Sequence, residues 1–297
     1  MKHKYTFGII LLTLLASSCR NNSDGPDNDL NIYKLHGPVK TIFEIDYSNT
    51  GKYTTWLSFN TNGFVQEQST YNHDGSLIRK WKFEYNNRNQ KTSRACYILK
   101  DSLSEILHYS YNENDMLKAE KSVNPKGGLI TEIIHEYDNR NNEIEKKYFD
   151  EKAKIQGGIK YNYDDNNNLI EELQYDSVYN QNLKQKKKYN PEGLNVETVY
   201  LTMKDSLLRR ITNVFLPNKQ VGETCIYYSP DELVSKTTYE YDKQLNIILK
   251  LIYSPQDNTT EKHTFEYKYD KYKNWTSRNE YINGEPVDMI TRKIEYY

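Results

Sequence analysis

Apolar and polar residues alternate with a period of two along most of this chain. Trp81, Phe83 and Tyr85 fall on one side of an extended segment, with Lys82 and Glu84 on the other. Thr237, Tyr239 and Tyr241 oppose Thr238 and Glu240, and His263, Phe265, Tyr267 and Tyr269 oppose Thr264, Glu266 and Lys268. Such alternation predicts half-buried antiparallel strands. The strands recur on a fixed spacing. An aromatic residue starts each copy at Phe59, Tyr85, Tyr111, Tyr137, Tyr163, Tyr189, Phe215 and Tyr241, 26 residues apart, and a ninth copy begins at Tyr269, two residues late. The next residue is Asn or Asp in every copy but the seventh, where it is Leu216. These side chains bond backbone two residues on and start turns.

Three places after that residue stand Gly63, Asn89, Asp115, Asn141, Asn167 and Gly193, types that tolerate a left-handed backbone. The column then changes to Lys219, Leu245 and Lys273, so the later turns are expected to be either different or strained. A second aromatic closes each hairpin at Tyr71, Tyr97, Tyr148, Tyr175, Tyr200, Tyr227, Tyr253 and Tyr281, with Val123 in the third copy. A second, more variable turn follows. The expected fold is all-β: about nine antiparallel hairpin repeats in one large twisted meander sheet over residues 33–297. A flat sheet of roughly eighteen strands would be about 80–90 Å wide, beyond what open sheets sustain, so it must curl into a spiral, an open barrel or two packed layers.

Tyr137-Asp138, Tyr163-Asp164, Tyr241-Asp242 and Tyr269-Asp270, each with a turn, an aliphatic residue and a distal aromatic, resemble the YD repeats of RHS-type proteins. The resemblance covers most of residues 59–297 and is closest to small YD-repeat lipoproteins of the Bacteroidetes type. Those include a C-terminal stretch similar to Tyr269-Asp270-Lys271-Tyr272-Lys273-Asn274-Trp275. In large members the repeats form a spiralling β-sheet shell. This sequence departs from them in its turn residues, and it has neither a toxin-like C-terminal region nor an aspartyl autoprocessing motif.

The N-terminus adds an address. Residues 1–18 comprise a basic start (Lys2, Lys4), an apolar core from Phe7 to Ala16 too short to span a bilayer, and small residues before Cys19. This resembles a bacterial lipoprotein signal, which makes Cys19 the lipidated residue and residues 19–32 a flexible tether. The alternative is an ordinary secretory signal. An outer-membrane lipoprotein of the cell envelope, periplasmic or surface-facing, is the expected location.

Composition narrows the function classes. A hydrophobic fraction of 36% invites a disordered reading, but 28 tyrosines argue for a folded, Tyr-dependent sheet. A net charge of −1 gives no basic surplus for nucleic acid; the run Lys184-Gln185-Lys186-Lys187-Lys188 reads as a solvated strand face. No phosphate loop, nucleophile elbow, zinc-protease motif or paired-cysteine spacing is present. No cofactor or metal is expected and no catalytic residue stands out. His108 and His135, in neighbouring copies, could approach each other. Cys96 and Cys225, five repeats apart, pair only if the sheet curls far enough. The repeated aromatics read first as core, with Trp56, Trp81 and Trp275 as alternative platforms for sugar rings. Asp101-Ser102-Leu103, Asp176-Ser177-Val178 and Asp205-Ser206-Leu207 resemble the O-glycosylation acceptor pattern of Bacteroides-type envelope proteins, which marks Ser102, Ser177 and Ser206. The expectation is a lipid-anchored, non-enzymatic envelope protein that presents a β-surface to a protein or glycan. An RHS-like shell or toxin-associated protein is the alternative, with a glycan-processing enzyme behind it.

Overall fold

A computed structural model of the chain describes residues 28–48, 51–99, 101–177, 182–230 and 232–297. The signal segment, Cys19 and the tether up to residue 27 lie outside the described residues. Past a one-turn helix, α1 (Asp29–Ile32), the chain is an antiparallel meander. Its first half comprises β1 (Val39–Ser48), β2 (Gly51–Phe59), β3 (Val65–Tyr71), β4 (Leu77–Tyr85), β5 (Lys91–Ile98), β6 (Ser102–Tyr111), β7 (Leu117–Val123), β8 (Leu129–Tyr137), β9 (Glu143–Phe149) and β10 (Ile155–Tyr163). Its second half comprises β11 (Leu169–Asp176), β12 (Leu183–Tyr189), β13 (Asn195–Thr202), β14 (Leu207–Phe215), β15 (Val221–Tyr227), β16 (Leu233–Tyr241), β17 (Ile247–Ser254), β18 (Thr259–Tyr269), β19 (Trp275–Ile282) and β20 (Glu285–Tyr296).

Every strand pairs with the next, and β1 also pairs with β20, from Val39 opposite Tyr296 to Asp46 opposite Ile290. The sheet is therefore a closed 20-stranded β-barrel. The nine hairpins of the repeat run from β2–β3 to β18–β19; β1 and β20, the two strands outside that count, close the ring. With about 4.8 Å per strand and a tilt of about 40°, a circular section has a backbone diameter of about 40 Å. Every substantial contact between strands joins ring neighbours.

The repeat turn has one geometry. In the first copy Asn60 N–H donates to the Phe64 carbonyl at 2.8 Å and Gly63 N–H to the Asn60 carbonyl at 2.9 Å. The Asn60 Oδ1 accepts from the amides of Asn62 and Phe64, both at 3.0 Å. The same side-chain bonding recurs at Asn86, Asn112, Asp138, Asp164, Asn190, Asp242 and Asp270. Lys219, Leu245 and Lys273 hold the left-handed position at φ 64°, 62° and 68°. The late turns are thus the same turn under strain, at a cost of about 1–2 kcal/mol per residue. Asn72, Asn124 and Asp150 build this turn at the other end of the barrel as well.

The starting tyrosines carry a second device. Tyr85, Tyr111, Tyr137, Tyr163, Tyr189 and Tyr241 each donate from the hydroxyl to the carbonyl twenty residues back, all at 2.8 Å. Each accepting residue opens the strand that follows the preceding turn, where the register shifts by one residue. The ladder pins that bulge to the next hairpin. Phe215 has no hydroxyl, and Asn213 Nδ2 donates to the Asn195 carbonyl in its place at 3.2 Å. In the ninth copy Tyr267 takes the rung, donating to the Ile247 carbonyl at 3.1 Å. The 26-residue spacing therefore holds through Tyr267, and the two-residue delay seen in the sequence is an extension of β18 beyond the rung.

The buried core is local. Leu35, Val39, Ile42, Leu57, Phe59 and Val65 form one cluster, with Leu30, Phe83, Ile294 and Tyr296 packed against it. It lies where β20, β1 and β2 meet, beneath the N-terminal segment. Asn28 to Ile32, the last part of the expected tether, are docked there. Leu30 N–H donates to the Gly63 carbonyl at 3.2 Å, and the Asp29 carboxylate accepts from Val65 N–H at 2.7 Å. The Tyr33 ring meets Phe59 edge-on at 6.0 Å. On the other side of the seam, buried Asn274 bonds both the N–H and the carbonyl of His36, at 2.8 and 2.7 Å, and Tyr272 stacks near Tyr296 at 4.3 Å. The stretch Tyr269–Trp275 thus staples the closure.

Candidate functional site

A closed sheet has a concave and a convex face, and the pairing register assigns each side chain to one of them. Phe59, Tyr85, Tyr111, Tyr137, Tyr163, Tyr189, Phe215 and Tyr241 share a face with Ile42, Glu44, Arg292 and the docked N-terminal segment. Side chains on this face are mostly half-buried. The opposite face carries Lys82, Glu84, Lys121, Lys160, Lys186, Lys188, Glu240, Glu266, Lys268, Lys293 and Glu295, all exposed. Concave curvature crowds side chains and convex curvature spreads them, so the tyrosine face lines the lumen. Burial raises its phenols accordingly: Tyr109, Tyr137 and Tyr163 are each pushed up to about 12.

The second aromatic column does not join the first. Tyr71, Tyr97, Tyr175, Tyr227, Tyr253 and Tyr281 point outward, because twelve residues and a one-residue bulge separate them from their inward partners. Tyr148 and Tyr200, at a separation of eleven, point inward. The repeated aromatics are therefore two opposed layers rather than one core. Outward tyrosines lie under cations, with Lys80 5.0 Å from the Tyr97 ring and Arg210 4.1 Å from Tyr227. Tyr175 covers Gly158, its cross-strand partner, where a Cβ would meet the Tyr175 hydroxyl at 2.5 Å.

Inward charges are paired over most of the ring. Arg292 donates to Glu44 at 2.6 Å while lying 3.3 Å from the Trp275 ring, and Arg278 donates to Asp288 at 2.7 Å. His263 sits between Glu280 and Glu261 at 2.9 and 2.7 Å. His135, 7% exposed, bonds Glu143 through Nδ1, and its Nε2 lies 3.3 Å from Glu120, at ion-pair distance but off-line for a hydrogen bond. Burial pulls the His135 imidazole down, yet the two carboxylates outweigh it and leave its pKa raised. Contact with His135 in turn holds Glu120 low against its own burial. His108 points outward, so the two neighbouring-copy histidines are on opposite faces. Among the described residues no group of three or more His, Cys, Asp or Glu is arranged to hold a metal.

One inward wall gathers three cations without carboxylate partners, whereas Arg209, 4.4 Å from the Tyr200 ring, stands singly. On β4, β5 and β6, Arg94 lies 4.2 Å and Arg79 5.8 Å from the Trp81 ring, while Lys91 lies 4.8 Å from Phe83 and 6.0 Å from Tyr109. No described carboxylate is within ion-pair distance of these three cations. The nearby acids are engaged elsewhere: Glu105 accepts from Ser122 at 2.6 Å, Glu120 meets His135, and Asp29 accepts from Val65. Burial lowers the Lys91 pKa. Trp81 stands out in the sequence, whereas the three cations do not. Counting by twos back from Tyr85 places Arg79 inward; placing Arg94 requires the bulge after the turn.

The remaining candidates fall elsewhere. Trp56 faces outward, lining a shallow depression of about 460 Å³ with Thr41, Phe43, Lys293 and Glu295. Cys96 and Cys225 are both free thiols, on opposite faces and ten strands apart. Within the lysine run, Lys188 pairs with Glu197 at 2.5 Å and Lys184 with Asp205 at 2.7 Å. Ser102, Ser177 and Ser206 are exposed at the end of the barrel opposite the N-terminal segment. Among the described residues, no helix is long and apolar enough to cross a membrane.

No protein-family model matches the sequence, and no curated protein does. Among solved structures, the crystal structure of TcdB2-TccC3-Cdc42 aligns with a TM-score of 0.38 and 12% identity, over 82% of this chain and 16% of that one. This chain therefore spans about a sixth of its length. A porin-like protein from Bacteroides uniformis ATCC 8492 aligns at 0.36 and 13%, over 88% of this chain and 98% of that one. One from Bacteroides vulgatus ATCC 8482 aligns at 0.30 and 11%, over 87% and 99%. The likeness is to large β folds and assigns no family.

Proposed function

We propose that this protein is a lipid-anchored, non-enzymatic component of the cell envelope whose barrel binds a protein segment or glycan on its inner wall. The observation that carries this reading is the closed 20-stranded ring with a tyrosine-rich lumen that is half-buried rather than collapsed. Sheets pack about 10 Å apart, so side chains fill about 5 Å on each side and leave a passage of roughly 30 Å. The outward face supports a barrel in water. Membrane-spanning barrels turn an apolar band outward, whereas lysine and glutamate recur here on strand after strand. The engaged inward carboxylates, from Glu44 to Asp288, support binding over acid–base chemistry.

Lipidation at Cys19 would place the anchor nine residues before Asn28, at most about 30 Å of extended chain. The end of the barrel bearing α1 then faces the membrane, and the turns with Ser102, Ser177 and Ser206 face away from it. The hollow ring also favours the shell reading, in which an enclosed polypeptide is the cargo. The test is a glycan array together with an envelope pull-down, using a soluble form that starts at Arg20 so that Asn28–Leu35 stay docked. Specific capture of a glycan or of one envelope protein supports the binding reading. Co-purification of a polypeptide released only on unfolding supports the shell, and failure of all three removes the lumen from the functional account.

A further inference from the structure

The geometry points to the β4–β6 wall as a binding site for a glycan bearing carboxylate or sulfate groups, with Arg79, Arg94 and Lys91 as its anion-binding residues. The inference rests on the lumen-binding reading above and names its ligand class. Near the seam, lumen arginines meet carboxylates, as Arg292 meets Glu44 and Arg278 meets Asp288, and Arg209 lies singly against the Tyr200 ring at 4.4 Å. Here the indole of Trp81 and the ring of Phe83 hold the cations instead. A guanidinium lying against an aromatic face keeps its planar fork ordered while its N–H edge stays free for an oxyanion. Less side-chain entropy is then lost when an anion docks.

Position along the barrel supports a polymer over a small anion. Arg94 lies three residues along β5 from Lys91, about 10 Å of backbone, while the Arg79 and Arg94 guanidiniums share the Trp81 ring, at 5.8 and 4.2 Å from its centre. The charges therefore form a pair at Trp81 with Lys91 about three residues further along the strand, matching a chain that carries more than one anion. Closure favours a glycan over an acidic polypeptide. A closed barrel offers no free sheet edge on which an extended peptide could add a strand. The inner wall presents side chains only, and sugars are recognised by such aromatic and charged groups.

The test is a titration of the full folded chain with oligogalacturonate and with heparin oligosaccharide, each against an uncharged counterpart: methyl-esterified oligogalacturonate and dextran. Expected is binding of at least one anionic oligomer that weakens with salt, with its uncharged counterpart at least 10-fold weaker. Arg79→Gln with Arg94→Gln should cut affinity at least 10-fold, while Lys268→Gln on the outward face changes it less than 2-fold, with circular dichroism confirming the fold of each. Equal binding of the charged and uncharged oligomers overturns the anion assignment but leaves lumen binding standing. An unaffected Arg79/Arg94 double variant moves the site off this wall. Polyglutamate binding without either glycan replaces the glycan with an acidic protein segment, and silence from every probe overturns the proposal.

Discussion

Two parts of the ring, built from the same repeat, do opposite things with it. At the seam formed by β20, β1 and β2, the N-terminal segment covers the inner face, Phe59 is 1% exposed, and inward charges such as Arg292 and Glu44 are paired. On the β4–β6 wall, beyond Phe83 whose ring still touches that cluster, the same strand pattern is open to the lumen, with aromatics half-buried and cations racked on rings rather than paired. The hairpin itself is neutral between the two uses. What differs is whether another part of the chain packs against its concave side, and hydrophobic stabilisation follows the area removed from water.

That comparison is easiest to break at equivalent aromatics. Phe59→Ala should cost about 3–5 kcal/mol, because it empties the packed cluster at the seam. Phe215→Ala, at the same repeat position on the open side, should cost roughly 1–2 kcal/mol. Urea unfolding of both variants gives the difference, and equal losses would mean the open wall is packed as tightly as the seam. A smaller effect sharpens the account of the ladder. Tyr163→Phe removes one hydroxyl-to-carbonyl rung and should cost about 1 kcal/mol, whereas Phe215→Tyr, where Asn213 already serves the carbonyl, should gain little.

The smallest expected effect is pH-dependent. The His135 pKa is raised in the fold, so its contribution is complete below the unfolded value of about 6.5 and is lost as pH rises through the folded one. Glu120, held low, contributes above its unfolded value and loses that contribution as pH falls through its folded pKa. Thermal melts should therefore show wild type losing more stability than His135→Gln as pH rises from 6 to 8. Parallel curves would remove the His135–Glu120–Glu143 cluster from the stability account.

Much of the barrel was legible in the chain before any coordinates. Strand positions, the 26-residue unit and the turn at Asn60 and its copies follow from local chemistry: alternation, Asn and Asp side chains, and glycine at φ > 0. The strained turns at Leu245 and Lys273 were legible as exceptions. The outward turn of the second tyrosines was not, because it depends on a one-residue bulge that shifts the face without changing the composition. The cation wall was hidden for the same reason, since Arg94 reaches the lumen only once the bulge after Tyr85 is counted.

Sequence alone thus determined the units: which residues extend, where the chain reverses, and which aromatic starts each hairpin. Tertiary structure decided that the ring closes, which face turns inward and where a core can exist. The reason is range. Turns and alternation are set by neighbours a few residues apart, whereas closure pairs Val39 with Tyr296 and ties His36 to Asn274 across 238 residues. Curvature, and with it the lumen, belongs to the whole ring.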